Sequence, residues 1–152
     1  MSELVSVIIP VYNAAPFLKD SIESVIAQTY SNIEIICIND GSTDNSLEIL
    51  KSFSDKITII SQENQGLASA LNVGIKKMKG KWFKWFSPDD VMFSNAIETL
   101  VNTGKKFSNT IIYSNWELID EKNNQLRSFQ ESNYNELSNF EFSVRLLDRQ
   151  LI

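Results

Sequence analysis

The sequence lacks histidine altogether and contains a single cysteine, Cys37. Without histidine, a Ser-His-Asp triad, a Cys-His pair and the usual zinc sites are excluded. One cysteine can form neither an intrachain disulfide nor a thiolate metal site, which fits a reducing compartment. Any metal ion would therefore have oxygen ligands, and any general base would be a carboxylate or a rarer group.

Long apolar runs and an excess of positive charge are also missing. No stretch approaches the length of a membrane span, and the N-terminal "MSELVSVIIPVYN" lacks the basic region of a signal peptide. The net charge of -5 argues against general binding to nucleic acid. With 152 residues, 43% of them hydrophobic, the chain can bury one sizeable core. We expect a soluble, cytoplasmic protein with no nucleic-acid partner.

What the sequence does contain is a regular series of short apolar runs rich in β-branched residues. Five runs predict strands over residues 4–9, 33–38, 57–60, 82–86 and 110–113. Their starting points are 29, 24, 25 and 28 residues apart. Because the runs are nearly continuous, they are typical of strands buried on both faces of a parallel sheet.

The intervals between these runs predict helices, since apolar residues recur there every three or four positions. The four stripes are Phe17, Leu18, Ile22, Val25 and Ile26; Leu47, Leu50 and Phe53; Leu67, Leu71, Ile75 and Met78; and Phe93, Ile97, Leu100 and Val101. Gly80 stands where a glycine would end the third helix. Strands and helices that alternate at this spacing predict βαβ units, hence an α/β fold with a parallel sheet flanked by helices.

The composition changes after Trp116, where the chain becomes polar and rich in Asn, Ser and Glu. We expect a short hairpin around residues 123–124 and a last helix over about residues 135–147. The sequence is therefore divided into an α/β domain over residues 1–116 and the start of an acceptor-side segment over residues 117–152. The apolar ending "RQLI" suggests a chain that continues further.

Polar residues collect where the predicted strands end. In a parallel sheet, ligands bind beyond the carboxyl ends of the strands, so the residues there are candidates for a site. In chain order they are Pro10, Tyr12 and Asn13; Asn39 and Asp40; Gln62, Glu63, Asn64 and Gly66; Ser87, Asp89 and Asp90; and Ser114, Asn115 and Trp116. Nearly every strand end is polar and two are acidic, which favours a single ligand site at this edge.

The stretch "FKWFSPDD", residues 83–90, ends an aromatic strand in two adjacent carboxylates. No glycine-rich turn follows the first strand, so backbone amides cannot wrap a phosphate as they do in dinucleotide-binding folds. Carboxylates repel a diphosphate unless a divalent cation lies between them, and they are preferred ligands of hard cations. We therefore interpret Asp89 and Asp90 as ligands of Mg²⁺ or Mn²⁺. A plain turn, or the N-terminus of the following helix, stays open as an alternative.

Through these motifs the sequence resembles family 2 of the glycosyltransferases. The resemblance rests on "VSVIIPVYNAAPFLKDSIESVIAQTYSNIEIICINDGSTDNS", "ENQGLASALNVGI", "GKWFKWFSPDDVM" and "IIYSNWELID", in that order over about residues 4–120. It implies a GT-A fold with a mainly parallel, Rossmann-like sheet. It also implies transfer of a sugar, with inversion and metal assistance, from a nucleoside diphosphate sugar, usually a UDP-sugar, to an acceptor hydroxyl. Acceptors in such a family are glycans, lipids or proteins, in polysaccharide, cell-wall or glycolipid synthesis, with peripheral membrane association through other regions.

The resemblance also implies roles for particular residues. Pro10 and Tyr12 would form a wall against the nucleobase, and Asp40 would accept a hydrogen bond from it. Asn64 and Gly66 would let their loop approach the nucleotide, and "SPDD" occupies the place of the DxD motif. The implied nucleotide-sugar-binding set is Pro10, Tyr12, Asn13, Asp40, Asn64, Gly66, Ser87, Asp89 and Asp90, with Asp89 and Asp90 as metal ligands.

Three positions depart from the family pattern. Ser87 replaces the first acid of the DxD motif, Asn39 stands where an acid is frequent, and Leu71 replaces a common arginine. The catalytic base is unassigned, because the family's carboxylate lies further along than residue 152. The candidates Asp120, Glu121, Glu141 and Asp148 fit solvated surface charges better.

Two rival functions follow from the same residues. The chain can be a nucleotide- and metal-binding fragment that transfers nothing by itself. A receiver-like signalling domain also has a doubly wound sheet, but it needs acids after the first strand and an aspartate after the third. Neither is present, which disfavours that class.

Overall fold

The computed structural model describes residues 2–107, 111–120 and 122–129. The chain divides into two compact units, residues 1–110 and residues 111–152. The first unit contains β1 (Val5–Val11), α1 (Ala15–Ile26), β2 (Ile33–Asp40), α2 (Ser46–Ser52), β3 (Thr58–Gln62), α3 (Leu67–Lys77), β4 (Trp82–Trp85) and α4 (Ala96–Gly104). This alternation confirms the predicted α/β class. No helix in the described ranges is both long and apolar enough to cross a membrane.

The strands of the first unit form one parallel sheet in the order β3-β2-β1-β4. The chain moves outward from β1 through β2 to β3 and then crosses to the other side of β1 to form β4. The strand order therefore reverses between β1 and β4. In open α/β sheets the crevice at such a reversal, beyond the carboxyl ends of the strands, is where ligands bind.

The two faces of the sheet are covered by different helices. Alternate residues of β1, such as Val7 and Ile9, pack in one apolar cluster with residues of α1, α2 and α4. Ile8, which points the other way, packs with Ala70 of α3 in a second cluster. This period of two along a fully buried strand places helices on both sides of the sheet, as the sequence predicts.

α3 lies unusually close to β1 because it has a glycine at the contact. A Cβ atom placed on Gly74 would lie 2.4 Å from Cγ2 of Ile8. A larger residue would push the helix away from the sheet, which explains a glycine in the middle of a helix despite its poor helix propensity.

The prediction that every strand is buried on both faces is wrong for β3 and β4. These strands lie at the two ends of the sheet order in the described chain, and two of the five residues of β3 and two of the four residues of β4 are exposed. Phe83 and Trp85, which belong to the run over residues 82–86 that is predicted to be a buried strand, are 47% and 48% exposed. Phe86, just after β4, is buried in the cluster that includes α1 and α4. A strand with one neighbour has less protein around it, which an apolar sequence run alone does not reveal.

The predicted fifth strand is also wrong where the structure describes it, since residues 111–113 form no strand and residues 108–110 lie outside the described ranges. The second unit instead contains the antiparallel pair β5 (Trp116–Ile119) and β6 (Gln125–Phe129). This pair confirms the predicted hairpin around residues 123–124, where Asn123 has a φ of 62°. The predicted helix over residues 135–147 lies outside the described ranges.

Gly80 does not end α3 in a left-handed conformation as predicted. The helix ends at Lys77 with Met78 as its C-cap, and the left-handed glycines of the described chain are Gly41 and Gly66. Gly80 is needed for another reason, because a Cβ there would lie 2.7 Å from the backbone nitrogen of Ser6. The glycine allows the turn before β4 to pass against β1.

Candidate functional site

The predicted site residues of the first unit lie at one edge of the sheet, since all four strands end there. Two boundaries differ from the prediction: Pro10 lies within β1, and Asp40 is the last residue of β2. Tyr12 follows β1 directly and its side chain is 52% exposed. An exposed ring at the rim of the crevice is available for stacking against a planar ligand.

Asn13 connects the β1–α1 loop to the β2–α2 loop. It adopts a φ of 49°, and its Oδ1 accepts hydrogen bonds from the backbone nitrogens of Thr43 at 2.7 Å and Asp44 at 3.3 Å. Asp44 in turn accepts a hydrogen bond from the nitrogen of Ala15 at 3.0 Å. Desolvation acts to raise the pKa of the Asp44 carboxyl group, but hydrogen bonds from the Ser46 side chain and from backbone nitrogens outweigh it, so the pKa is lowered. Asn13 thus connects the two loops by hydrogen bonds next to Tyr12.

Asp40 is buried, with 3% exposure, and its carboxylate holds the β3–α3 loop. Oδ1 accepts hydrogen bonds from Nε2 of Gln62 at 2.7 Å and from the nitrogen of Gln65 at 2.9 Å. Oδ2 accepts one from the nitrogen of Gly66 at 2.8 Å. Because a carboxylate has about four acceptor positions, three partners leave Asp40 about one for a ligand. The two glutamine contacts were not foreseen from the sequence, which does not show where a loop folds back.

The β3–α3 loop also lies directly on the backbone of the β2–α2 loop. A Cβ on Gly41, whose φ is 72°, would lie 2.7 Å from the backbone nitrogen of Asn64. Gly66 has a φ of 84° and stands at the N-cap of α3, with its amide directed to Asp40. Asn64 is exposed beside this contact. The structure therefore brings the predicted residues Asp40, Asn64 and Gly66 together.

The acidic turn, residues 87–90, follows β4. Pro88 and Asp89 form its corner, and the nitrogen of Asp90 donates to the carbonyl of Ser87 at 3.4 Å. The Ser87 hydroxyl donates to Oδ1 of Asp89. The turn alternative is therefore confirmed, whereas the N-cap alternative is wrong, because α4 begins only at Ala96 with Asn95 as its N-cap. A turn does not conflict with metal binding, since both acids remain exposed.

The charges around the acidic turn are unbalanced. Desolvation and the neighbouring charge of Asp89 raise the pKa of Asp90, and Lys84 opposes this effect. Burial lowers the pKa of Lys84 itself, while Asp90 acts to raise it. Two repelling carboxylates with one partly buried lysine form a place where an added cation lowers the electrostatic energy.

The donor chemistry of the turn fits Mg²⁺ or Mn²⁺. Asp89 and Asp90 supply hard oxygen donors, and Mg²⁺ is commonly bound by one or two carboxylates together with water and substrate phosphates. In the described ranges, no group of three or more acidic, histidine or cysteine side chains is placed to hold a metal ion. Other ligands would therefore come from water or from the substrate.

The remaining candidates belong to the second unit or lie outside the described residues. Ser114, Asn115 and Trp116 lie in the second unit. The Asp120 carboxylate accepts hydrogen bonds from the nitrogens of Lys122 and Asn124, both at 2.8 Å, and so closes the β5–β6 turn. The hydrogen bond from the Asn124 side chain, together with these two backbone hydrogen bonds, lowers the pKa of Asp120. Glu121, Glu141 and Asp148 lie outside the described residues.

Solved structures that share this fold are glycosyltransferases. Residues 1–349 of Staphylococcus aureus TarS in complex with UDP match with a TM-score of 0.64 and 21% identity, over 68% of this chain and 32% of that one. The mannosyltransferase PcManGT from Pyrobaculum calidifontis, in complex with GDP-Man and Mn²⁺, matches with a TM-score of 0.57 and 23% identity, over 60% of this chain and 29% of that one. These likenesses confirm the predicted GT-A architecture.

The sequence itself places the chain within that class. The glycosyl transferase family 2 model matches residues 6–150, and the chain belongs to this family. An uncharacterized glycosyltransferase of Rickettsia felis is 47% identical over 98% of this chain and 25% of its own length. Glycosyltransferase GlyG of Streptococcus pneumoniae is 40% identical over 80% of this chain and 42% of its own length. The chain therefore spans less than half the length of either relative.

Proposed function

We propose that the protein transfers a sugar from a nucleoside diphosphate sugar to an acceptor hydroxyl. The observation that carries this proposal is the acidic turn of a family 2 chain, which lies at the carboxyl edge next to the strand-order reversal. Uridine is the first nucleoside to test, because TarS was solved in complex with UDP and with UDP-GlcNAc. Mn²⁺ is the first metal to test, because PcManGT was solved with it.

Several residues of the first unit would bind different parts of the nucleoside diphosphate sugar. Tyr12 offers an exposed ring to the base, while Asp40 holds the loop that carries Asn64 and Gly66 against the nucleotide. Asp89 and Asp90 would hold a divalent cation, which when bound neutralises charge on the leaving diphosphate.

We propose inversion at the anomeric carbon, the outcome of a single displacement by the acceptor hydroxyl opposite the diphosphate. The proton of that hydroxyl needs a base, which stays unassigned. A cytoplasmic location, peripheral membrane association and a place in surface-polymer synthesis likewise stay predictions from the sequence.

A second candidate function is binding without transfer. It is favoured by the placement of all the implied nucleotide-sugar-binding residues in the first unit, while the described part of the second unit supplies no assigned base. Sugar transfer by the 152-residue chain, assayed beside the full-length protein, separates the two candidates. Transfer by the 152-residue chain alone would eliminate the second.

Calorimetric titration tests the donor site directly. UDP, GDP and dTDP are each titrated with Mn²⁺ and with chelator, into the parent protein, Asp89→Ala and Asp55→Ala. Asp55 is an exposed acid shortly before β3, at the opposite edge of the sheet, and serves as the matched control. We expect Asp89→Ala to weaken UDP binding about tenfold or more in Mn²⁺ and to leave binding in chelator unchanged. Equal affinity of parent and Asp89→Ala in Mn²⁺ would refute the metal site.

A further inference from the structure

A row of polar side chains on α1 and just after its end faces the segment that carries the acidic turn. This polar row consists of Ser21 and Ser24, which are three residues apart on one face of α1, and Gln28, which lies two residues after the helix ends at Ile26. Next to it runs the apolar stripe of α1 that packs on the sheet. Ser21 and Gln28 are buried. Buried polar groups are costly unless they are hydrogen-bonded, so the partners of this row are informative.

The two serines contact the chain on either side of the two acids. The Ser21 hydroxyl donates to the carbonyl oxygen of Ser87 at 3.1 Å. The Ser24 hydroxyl donates to the carbonyl of Ser21 at 2.7 Å and accepts a hydrogen bond from the nitrogen of Met92 at 3.0 Å. Asp89 and Asp90 therefore lie in a short span whose two ends are both fixed to α1.

Gln28 holds the remainder of the same segment. Its Nε2 donates to the carbonyl of Phe93 at 2.7 Å, and its Oε1 accepts from the nitrogen of Ile97 at 3.0 Å. The nitrogen of Thr29 donates to the carbonyl of Ser94 at 2.8 Å. Phe86, the first residue after β4, still donates its backbone nitrogen to the carbonyl of Ile8 in β1, at 3.0 Å. Further along this segment, α1 and the residues just after it supply hydrogen bonds that a sheet would otherwise provide.

The first turn of α1 is attached to the other half of the crevice. The nitrogens of Ala14 and Ala15 donate to Ser46 and Asp44, both at 3.0 Å. One helix thus joins the loops that follow β1 and β2 to the loop that follows β4. A rigid link of this kind fixes the distance between a base-binding side and a phosphate-binding side.

We propose that Ser21 and Ser24 are positioning residues, which hold Asp89 and Asp90 in the arrangement that binds the divalent cation of the donor site. The proposal rests on the proposed function. Neither serine touches the ligand; each acts through the backbone on one side of the acids. Residues that orient metal ligands in this way typically change metal affinity about 10- to 100-fold when they are lost.

The test uses Ser21→Ala and Ser24→Ala in the full-length protein, with Ser24→Thr as the conservative variant. Ser52→Ala is the matched control, because the Ser52 hydroxyl also bonds a helix carbonyl, that of Ile49 at 2.6 Å, but belongs to α2. Three quantities are measured: Mn²⁺ affinity in the presence of UDP, UDP affinity in chelator, and amide hydrogen exchange of residues 89–91 without ligand.

We expect Ser24→Ala to weaken Mn²⁺ binding about tenfold and to speed exchange at residues 89–91 by a similar factor. UDP affinity in chelator should stay unchanged, Ser24→Thr should restore both values, and Ser52→Ala should alter neither. Faster exchange with unchanged Mn²⁺ affinity would show a purely structural contact and overturn the proposal. Unchanged exchange would overturn it as well. If the parent protein binds no Mn²⁺ in the presence of UDP, both the proposed function and the positioning proposal fail. If the parent binds Mn²⁺ and the serine variants bind it with the same affinity, only the positioning proposal fails.

Discussion

At the scale of single residues, the two acids of the turn differ in their surroundings. Asp90 is partly desolvated and lies beside the charge of Asp89, so its pKa is raised above the ordinary value of 3.8. A raised carboxyl pKa means that ionisation costs the folded state free energy. The cost is absent below the unfolded pKa, grows as the pH rises through the folded pKa, and is complete at neutral pH.

We therefore expect Asp90→Asn to stabilise the metal-free protein at pH 7 and not at pH 3. The gain should be no more than about 0.5 kcal/mol, because water and salt screen a partly exposed carboxylate. Mn²⁺ affinity should fall in the same variant, since an uncharged amide is a poor ligand for a hard cation. Urea unfolding at the two pH values and Mn²⁺ titration measure both effects. A loss of stability at pH 7 would contradict this account.

Asp40 differs from Asp90, because three hydrogen bonds from the surrounding protein compensate for the burial of its carboxylate. Asp40→Asn replaces one acceptor oxygen by an amide group, which turns a donor towards the backbone of Gln65 or Gly66. We expect a loss of about 2 kcal/mol in the free energy of unfolding, the usual cost of an unsatisfied buried group. Asp55→Asn, at an exposed position, should change the unfolding midpoint little. Equal midpoints for the two variants would show that the loop does not depend on Asp40.

At the scale of elements, the loops after β2 and β3 give a matched pair of glycines. Both have a positive φ, but a Cβ on Gly66 would meet open space, whereas a Cβ on Gly41 would meet the backbone of Asn64. Gly66 has a φ of 84° and a ψ of 165°, a region that is nearly exclusive to glycine, so Gly66→Ala should cost about 1–3 kcal/mol from backbone strain alone. Gly41→Ala should cost about 2–4 kcal/mol, because a clash with the main chain adds to the strain. Denaturant unfolding measures both costs, and a cost of only about 1 kcal/mol for Gly41→Ala, which is the strain of a left-handed residue alone, would mean that the two loops are not packed together as described.

The elements also show what the sequence can and cannot predict. β1 and β2 were predictable, because central strands bury both faces and leave continuous apolar runs. The exposure of Phe83 and Trp85 could not be predicted, because a strand at the edge of a sheet can have the same apolar composition as a central strand. In the site, acids at strand ends were visible in the sequence. The hydrogen bonds of Ser21 and Ser24 could not be predicted, because the sequence does not indicate which residue, 66 or 68 positions away, a helical serine will contact.

At the scale of the whole chain, all the implied nucleotide-sugar-binding residues lie within the first compact unit. We expect a polypeptide of residues 1–110 to bind UDP with Mn²⁺ about as tightly as the 152-residue chain, within a factor of about three, because no assigned contact is lost. It should transfer no sugar. Titration and a transfer assay measure this, with Asp89→Ala in the same short polypeptide as the control. A loss of UDP binding on shortening would show that the second unit contributes to the donor site.

The single cysteine gives the whole chain a further practical property. Cys37 lies in the middle of β2 with no exposed surface, and burial raises the pKa of its thiol to about 12. An inert native thiol of this kind reacts with alkylating reagents only after the sheet opens. A cysteine introduced by Val91→Cys, at an exposed position beside the acidic turn, would therefore take up a fluorescent dye selectively. Binding of a ligand next to the dye would then change its fluorescence, and Cys37 would contribute no signal because it stays unlabelled.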